Sequence, residues 1–332
     1  MDLPLGLATF ISDIGGLQLT LSLLGMRAII WSFQGKPCRR VGVATKGDTQ
    51  TPSTLQTATD AFDLSTNLRG HGWAWSAGVK IPPETRPTSS TSAFISSTTT
   101  SLILHGVLFD LLHYCVQWFD PLTIGSAVGG TIFDFSMPPA QRYLRSSTIT
   151  LLSCFMIYSL FQTGYDICTL LGVLVFRQHI SLWPPLFRDP WFATSLTELW
   201  ADRWHQLFRE IFVSLGGRPM ARLLGRVGGL FGSFFLSGLL HHVGLWGMGN
   251  GSDFRKVVGF FVMMGTGIIM EHIFRLITGQ RVSGFFGWLW MSLWVIGWAH
   301  ILAEAWATHG VMGSVFFPRS FRPAFRIFGP LP

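Results

Sequence analysis

Long apolar stretches alternate with polar connections along most of the chain. A helix needs about 20 mostly apolar residues to cross the hydrocarbon core of a bilayer. Stretches of about that length cover residues 16–33, 102–119, 148–176, 228–247, 257–277 and 285–307. The pattern therefore predicts an all-α integral membrane protein, a multi-helix bundle in which about six helices span the bilayer.

The composition strengthens this interpretation. Of the 332 residues, 48% are hydrophobic, 14% aromatic and only 12% charged, about half the charged fraction of an ordinary globular domain. Such a composition excludes a disordered chain and is atypical of a water-soluble enzyme. The net charge of +7 does not indicate a nucleic-acid partner, because the basic residues lie between apolar stretches and not in a run interleaved with aromatic residues.

The basic residues are distributed unevenly among the connections. If all six stretches cross, the first-to-second and third-to-fourth connections each carry seven Lys or Arg, and the second-to-third and fourth-to-fifth carry two each. Lys and Arg are enriched in cytosolic loops. We therefore expect both basic connections to face the cytosol. The first of them, residues 38–100, is rich in Ser, Thr, Pro and Gly and is predicted to be a mobile polar connection.

Common catalytic signatures are absent from the sequence. It contains no GxGxxG, Walker, GxSxG or HExxH motif, and its four cysteines form no CxxC pair, so neither a metal site nor a disulfide framework is predicted. Candidate chemistry therefore rests on histidines and carboxylates. Several of these lie within the apolar stretches, where we interpret them as cross-links between helices: Asp110, His113, Glu271, His272, His300 and Glu304.

His241 is the most informative of the histidines. It lies about 20 Å from the predicted cytosolic end of the 228–247 stretch, at 1.5 Å per residue. An ionisable side chain at that depth normally faces a cavity, a partner or a reaction site. One interpretation is a hydrogen bond to a neighbouring helix, and the other is a general base that accepts a proton from an alcohol. The adjacent His242 points about 100° away around the helix.

A second group of residues precedes this stretch. Three aromatic residues follow one another at i, i+4 and i+8: Trp200, Trp204 and Phe208. Arg203 and Arg209 flank them, and the pattern predicts an interfacial amphipathic helix. His205 lies beside the aromatic stripe, so it is either an ordinary solvated residue or a side chain at the mouth of a pocket between helices.

Three pieces of the sequence together resemble a known family. Residues 183–209 contain Trp-Pro-Pro-Leu-Phe and, further on, Arg-Trp-His-Gln-Leu-Phe-Arg, and residues 236–241 read Leu-Ser-Gly-Leu-Leu-His. Upstream, residues 69–75 read Arg-Gly-His-Gly-Trp-Ala-Trp. In this order, over residues 67–307, they resemble the wax synthase domain of the membrane-bound O-acyltransferase superfamily, and most of all its fungal terpenoid and meroterpenoid O-acetyltransferases.

The resemblance implies an enzyme of the endoplasmic reticulum with a reaction chamber buried in the bilayer. It would transfer an acetyl group from acetyl-CoA, a co-substrate, to a hydroxyl of a hydrophobic acceptor, with no permanently bound cofactor and no metal. His241 matches the family's histidine in its apolar helix. His205 matches the position that carries Asn or His in the Trp-flanked motif. Both are therefore candidate catalytic residues.

We also expect the donor to be bound near these histidines. Guanidinium groups suit phosphate oxygens, which makes Arg203, Arg209 and Arg218 candidates for binding CoA. Trp204, within the same motif, is the fourth candidate. The alternative for any one arginine is ordinary flanking charge at the cytosolic face. The chain departs from the family pattern at Ala201, where glycine is usual, and at Asp202, where a cation is usual.

The predicted domain organisation follows from the resemblance. Residues 1–66 form an N-terminal apolar segment and polar loop, 67–310 an acyltransferase domain, and 311–332 a C-terminal tail. Within the same class, the alternative is a long-chain acyl-CoA:alcohol acyltransferase of the wax-ester type. Two further alternatives are a non-catalytic relative that binds lipid or acyl-CoA, and a transporter whose pathway would use His241, Glu271 and His300. No repeated half is visible, which disfavours the transporter.

Overall fold

The computed structural model describes residues 5–41, 53–76, 78–318 and 321–331. These ranges form helices and connections without a β-strand, apart from one isolated bridge between Arg40 and Trp73. The helices are α1 (Leu5–Ser32), α2 (Thr54–Thr66), α3 (Thr91–Trp118), α4 (Pro139–Leu174), α5 (Leu196–Glu198), α6 (Arg209–Ile211), α7 (Arg218–Gly247), α8 (Phe254–Thr278), α9 (Gly284–Thr308) and α10 (Pro323–Phe328). A π-helical turn, Leu199–Arg203, extends α5, and a second, Phe212–Gly217, joins α6 to α7.

Five helical segments in the described ranges are long and apolar enough to span a bilayer, where the sequence predicted about six. They are α3, α4, the continuous segment Arg209–Gly247, α8 and α9. The first predicted stretch forms α1, which is not among the five. Its apolar run is interrupted by Arg27, and its Leu23 packs against Ile211 and Leu240. The all-helical membrane architecture is confirmed.

The segment Arg209–Gly247 is folded back on itself. Leu224 has φ −126° and ψ 18°, and Gly225 has φ 65° and ψ −161°, a conformation that only glycine adopts readily. Beyond this reversal the chain returns along itself, so that a Cβ on Gly216 would lie 2.2 Å from the carbonyl oxygen of Gly232. Residues 209–247 are therefore a hairpin, with a first arm (209–224) and a second arm (226–247). The sequence analysis left the first arm in the basic connection between the third and fourth stretches and did not predict that it is helical.

The close approach of the two arms requires glycine. We expect Gly216→Ala to destabilise the protein by about 1 to 3 kcal/mol, because the added methyl group would force the arms apart. Gly164→Ala is the matched control: it lies within α4, and a Cβ there meets no atom within 4 Å in the described structure. The check is the melting temperature of each purified variant in detergent, and equal melting temperatures would contradict the expectation.

The aromatic stripe does not form the amphipathic helix that the sequence predicted. The π-helical turn ends at Arg203, Trp204 is extended with ψ 155°, and Phe208 is non-helical with ψ 5°. The backbone N–H of Arg188 donates to the carbonyl of Arg203 at 3.0 Å, which fixes the end of the turn. Residues 204–208 therefore cross into the protein interior as a non-helical connection.

The polar connection at 38–100 is more ordered than its composition predicted. Its described part contains α2 and the first turns of α3, which begins where Ser90 accepts a hydrogen bond from the N–H of Ala93. The Ser/Thr-rich run is nevertheless helical, and its hydroxyl groups bond to carbonyls one turn earlier, as Thr98 does to Phe94 at 2.9 Å. Small hydroxyl residues also line the facing side of α4, where they allow close packing.

Most of the polar residues within the spans act as cross-links, as predicted. His272 does not: it is exposed and makes no hydrogen bond or ion pair with another described residue. Asp110 of α3 accepts from Arg322 Nε at 2.5 Å and from the N–H of Ala324 at 2.7 Å, which holds α10 against α3. Glu304 accepts from the N–H of Ile132 at 2.8 Å. His300 Nε2 lies 3.1 Å from Ser147 Oγ and joins α9 to α4.

Candidate active site

His241 lies on the second arm of the hairpin with its ring against Phe261 of α8, the ring centroids being 4.5 Å apart. Its Nδ1 is 2.8 Å from the carbonyl oxygen of Ser237. A carbonyl can only accept, so Nδ1 carries the proton and Nε2 keeps a free lone pair. No described residue hydrogen-bonds to Nε2. The side chain is half-buried, so part of its surface remains accessible.

His205 lies in the connection that leads into the first arm. Its ring stacks on Phe161 of α4, with centroids 4.8 Å apart, and meets the edges of Phe187 and Phe208 at 5.8 and 5.7 Å. Burial, reinforced by the nearby charges of His241 and Arg69, lowers the pKa of His205. The ring is therefore neutral near pH 7.

The hairpin brings the two histidines together. The first arm contains 16 residues, from Arg209 to Leu224. On the second arm, the part from Arg226 to His241 also contains 16 residues. At 1.5 Å per residue, His241 and the start of the first arm both lie about 24 Å from the reversal at Gly225. His205 precedes the first arm by only four residues, so the fold places two histidines from separate motifs at the same depth.

Buried polar atoms without partners cluster around His205. In the described structure, Trp200 Nε1, His205 Nδ1 and Gln206 Oε1 are all buried and make no hydrogen bond. Native proteins satisfy most buried polar groups, so each exception needs an explanation. These three atoms, within seven residues of one another in the sequence, are candidate hydrogen-bonding groups for a polar part of a ligand.

Ion pairs hold the turn that precedes His205. Asp202 accepts from Arg188 at 2.5 Å and lies 3.7 Å from Lys80 Nζ. The acidic residue that departs from the family pattern is thus compensated by two cations. Arg203, predicted to bind CoA, donates to Glu198 at 2.6 Å and to the carbonyls of Arg188 and Asp189, so its guanidinium is occupied within the turn.

Glu271 of α8 anchors the start of the same turn. Its carboxylate accepts from the N–H groups of Leu196 and Thr197 at 2.6 and 3.0 Å, and from the Thr197 hydroxyl at 2.7 Å. Trp290 Nε1 donates to it at 3.1 Å. The sequence indicated a cross-link for Glu271 but not its partner, because the contact joins residues 75 positions apart.

The remaining predicted CoA residues lie along and beside the first arm. Trp204 packs against Phe187 with centroids 4.9 Å apart. Arg209 is half-buried and makes no side-chain hydrogen bond or ion pair with another described residue. Arg218 is exposed near the reversal, where it donates to Glu210 at 3.0 Å and to Ser214 Oγ at 2.9 Å.

A cleft of about 640 Å³ opens beside Arg218. It lies between α1, the segment around residues 68–75 and the first arm. Arg27, Arg218 and Arg222 line it, and Trp31 and Trp75 flank Arg27 with ring centroids 5.2 and 5.1 Å from its guanidinium. Arg27 is only 3% exposed, and its Nη2 is buried without a partner in the described structure. Arg27 was not among the candidate residues of the sequence analysis.

These features define a class of protein: a helical membrane enzyme that encloses two histidines in an aromatic interior, with a basic cleft beside the helix leading to them. Known proteins agree with this description. Residues 183–263, which include both histidines and the whole hairpin, match the model of the membrane bound O-acyl transferase family.

Relatives in three organisms are similar to this chain, each over a longer part of it than the family model. Acetyltransferase eriL of Hericium erinaceus is 25% identical over 76% of this chain and 68% of its own length, and acetyltransferase aurG of Calcarisporium arbuscula is 24% identical over 79% and 68%. A long-chain-alcohol O-fatty-acyltransferase of Simmondsia chinensis is 28% identical over 43% of this chain and 41% of its own. The chain is an acyltransferase, and its residues 183–263 are similar to the membrane bound O-acyl transferase family.

Proposed function

We propose that this chain is an acetyl-CoA-dependent O-acetyltransferase of the endoplasmic reticulum that acetylates a hydroxyl group of an apolar terpenoid or meroterpenoid. The free Nε2 of His241, held in an aromatic interior at the depth of His205, carries this proposal. The names of eriL and aurG support acetyl as the transferred group. The aromatic walls support an acceptor that is mostly apolar.

His241 is assigned the role of general base. Its Nε2 accepts the proton of the acceptor hydroxyl while the hydroxyl oxygen bonds to the thioester carbonyl carbon. The carbonyl oxygen becomes an oxyanion. When the tetrahedral intermediate collapses, the C–S bond breaks, and the CoA sulfur receives the proton from His241. The products are the acetate ester and free CoA, and His241 returns to its neutral form.

His205 is assigned to the carbonyl oxygen of the thioester. A neutral imidazole can donate one hydrogen bond to the developing oxyanion, and such a donor contributes about 2.7 to 4 kcal/mol. We expect His205→Leu to lower kcat about 100-fold or more. His205→Asn should retain much more activity, because an amide also donates a hydrogen bond. The check is the steady-state rate of each variant in membranes. Equal rates for His205→Leu and His205→Asn would contradict the assignment.

The nucleotide of CoA is assigned to the cleft beside Arg218. Arg27 and Arg222 add two further guanidinium groups to its lining, beside Arg218 and its partner Glu210. The unpartnered Nη2 of Arg27 supports an anion at this place. Ile211 lines the same cleft and packs against Leu240, the residue before His241. From Arg218 to Arg209 the first arm covers about 14 Å, a distance that the extended pantetheine arm would follow. Arg209 and Trp204 lie toward its inner end.

Charge removal in the cleft should weaken donor binding. We expect Arg218→Ala and Arg27→Ala each to raise the KM for acetyl-CoA about tenfold, the equivalent of 1.4 kcal/mol, with smaller changes in kcat. Arg226→Ala is the matched control, because Arg226 lies at the same reversal but does not line the cleft. Initial rates across a range of acetyl-CoA concentrations give both constants. An equal effect in the control would assign the loss to general surface charge.

The function is tested with microsomes that contain the chain. They are incubated with labelled acetyl-CoA, or with a long-chain acyl-CoA, and a panel of hydroxylated terpenoids and fatty alcohols. Free CoA and esters are followed by mass spectrometry. Acetate esters of terpenoids support the proposal. Long-chain esters of fatty alcohols would instead support the wax-ester alternative, which the Simmondsia chinensis relative represents.

A further inference from the structure

The backbone carbonyl groups of the Trp-Pro-Pro segment at residues 183–185 accept hydrogen bonds from side chains elsewhere in the chain. Proline has no backbone N–H, so Pro184 and Pro185 offer carbonyl groups without matching donors. Each buried carbonyl nevertheless needs a partner. The carbonyl of Trp183 accepts from Arg86, and those of Pro184 and Pro185 accept from Arg69. Two arginines therefore bind three successive carbonyl groups.

Arg69 is the more deeply buried of the two, at 5% exposure. Its Nη1 donates to Pro185 at 2.7 Å, and its Nη2 donates to Pro184 at 2.7 Å and to the Tyr165 hydroxyl. That hydroxyl in turn donates to the carbonyl of Pro184 at 2.6 Å. The guanidinium thus joins the segment to α4. All its hydrogen-bond partners in the described structure are neutral.

The contact leads directly to the candidate active site. Phe187 follows Pro185 by two residues, packs on Trp204 at 4.9 Å and meets the edge of the His205 ring at 5.8 Å. Phe161 of α4 stacks on the same ring with centroids 4.8 Å apart. The orientation of His205 therefore depends on how the 183–187 segment lies against α4, which is the contact that Arg69 makes.

We propose that Arg69 is a positioning residue for acyl transfer: by binding the carbonyls of Pro184 and Pro185 to α4, it holds Phe187 against His205 and fixes the orientation of that ring. The inference rests on the proposed function, in which His205 faces the thioester. A guanidinium fork reaches two carbonyls and a hydroxyl at once. A lysine ammonium has a different geometry and cannot reproduce this arrangement.

The first test measures kcat and KM for Arg69→Lys, Phe187→Leu and the double variant, at equal amounts of folded protein by size-exclusion chromatography in detergent. We expect Arg69→Lys to lower kcat about 100-fold with little change in the KM for acetyl-CoA. Because both residues act on one ring, the double variant should be no slower than the slower single variant. Arg40→Lys is the control: Arg40 stacks on Trp73 of the same motif but pairs with Asp60 and Asp63.

The second test does not depend on activity. Diethylpyrocarbonate modifies accessible imidazoles, and peptide mass spectrometry follows His205, with the exposed His179 as internal reference. Arg69→Lys and Phe187→Leu should each accelerate modification of His205 several-fold, whereas Arg40→Lys should not. The proposal would be overturned if the reactivity of His205 were unchanged in Arg69→Lys and Phe187→Leu. It would also be overturned if Arg69→Lys changed only the KM for acetyl-CoA, or if the losses of kcat in the two single variants multiplied in the double variant. If the parent protein transfers no acyl group, the proposed function fails, but the reactivity comparison still decides the role of Arg69.

Discussion

Replacing His241 with alanine is expected to lower the rate of ester formation by about 10²- to 10⁴-fold, the contribution that a positioned general base makes. The free lone pair on Nε2 is the group that accepts the acceptor's proton, and alanine leaves no substitute in the aromatic surroundings of Phe261. Binding of acetyl-CoA should be nearly unchanged, because the cleft residues remain. Rates are compared in membranes that contain equal amounts of the two proteins.

His242→Ala is the matched control for this prediction. Its ring points about 100° away on the same helix, and its Nδ1 lies 2.8 Å from Ser252 Oγ in the following loop. We expect this variant to keep most of the activity, with any loss following a loss of folded protein. A His241→Ala variant as active as the parent would remove His241 from the reaction and leave another group to accept the proton.

Arg322→Ala is expected to have the largest effect on stability. Arg322 and Asp110 are 4% and 2% exposed, and removing one partner of a buried ion pair costs about 3 to 5 kcal/mol because the remaining charge stays buried. In this variant Asp110 would keep only the N–H of Ala324, and Gln117 would lose the two contacts that Arg322 makes to its Oε1 at 3.2 and 3.3 Å. The measure is the melting temperature in detergent.

Two further variants test the cause of this loss. The double substitution Asp110→Leu with Arg322→Met should recover part of the stability, since replacing both charges by apolar groups leaves no unpaired ion. Lys256→Ala is the control, because it breaks a partly exposed pair with Asp253 at 3.4 Å, and such pairs contribute about 0 to 1 kcal/mol. If the double variant were as unstable as Arg322→Ala, the shape of this contact and not its charge would be decisive.

Most of the spans could be predicted from the sequence, but the first arm of the hairpin could not. Four predicted stretches correspond closely to α3, α4, α8 and α9, because their apolar residues are continuous. The first arm carries Arg209, Arg218 and Arg222, and by composition it is typical of a basic loop. The packing of the first arm against the second depends on the reversal at Gly225. The chain has 37 glycines, and the neighbouring sequence does not distinguish the one at which the chain reverses.

The candidate site, too, could be predicted only in part from the sequence. His241 stands out because burying an ionisable group in an apolar helix costs free energy. Its proximity to His205 follows only from the reversal between them. Arg203 has the right chemistry for phosphate, yet a carboxylate five residues earlier occupies it. Arg27 has the same chemistry, and its burial at the cleft results from the packing of α1, which local sequence does not reveal.

The hairpin also affects how the chain enters the membrane. The first arm is about 24 Å long and therefore too short to cross a hydrocarbon core of about 30 Å by itself. We therefore expect it to enter the bilayer together with the second arm. Until the two arms have closed on each other, the chain carries both imidazoles without holding them at the same depth. Assembly of the candidate site is thus expected to follow membrane integration, because helix formation alone does not bring the two histidines together.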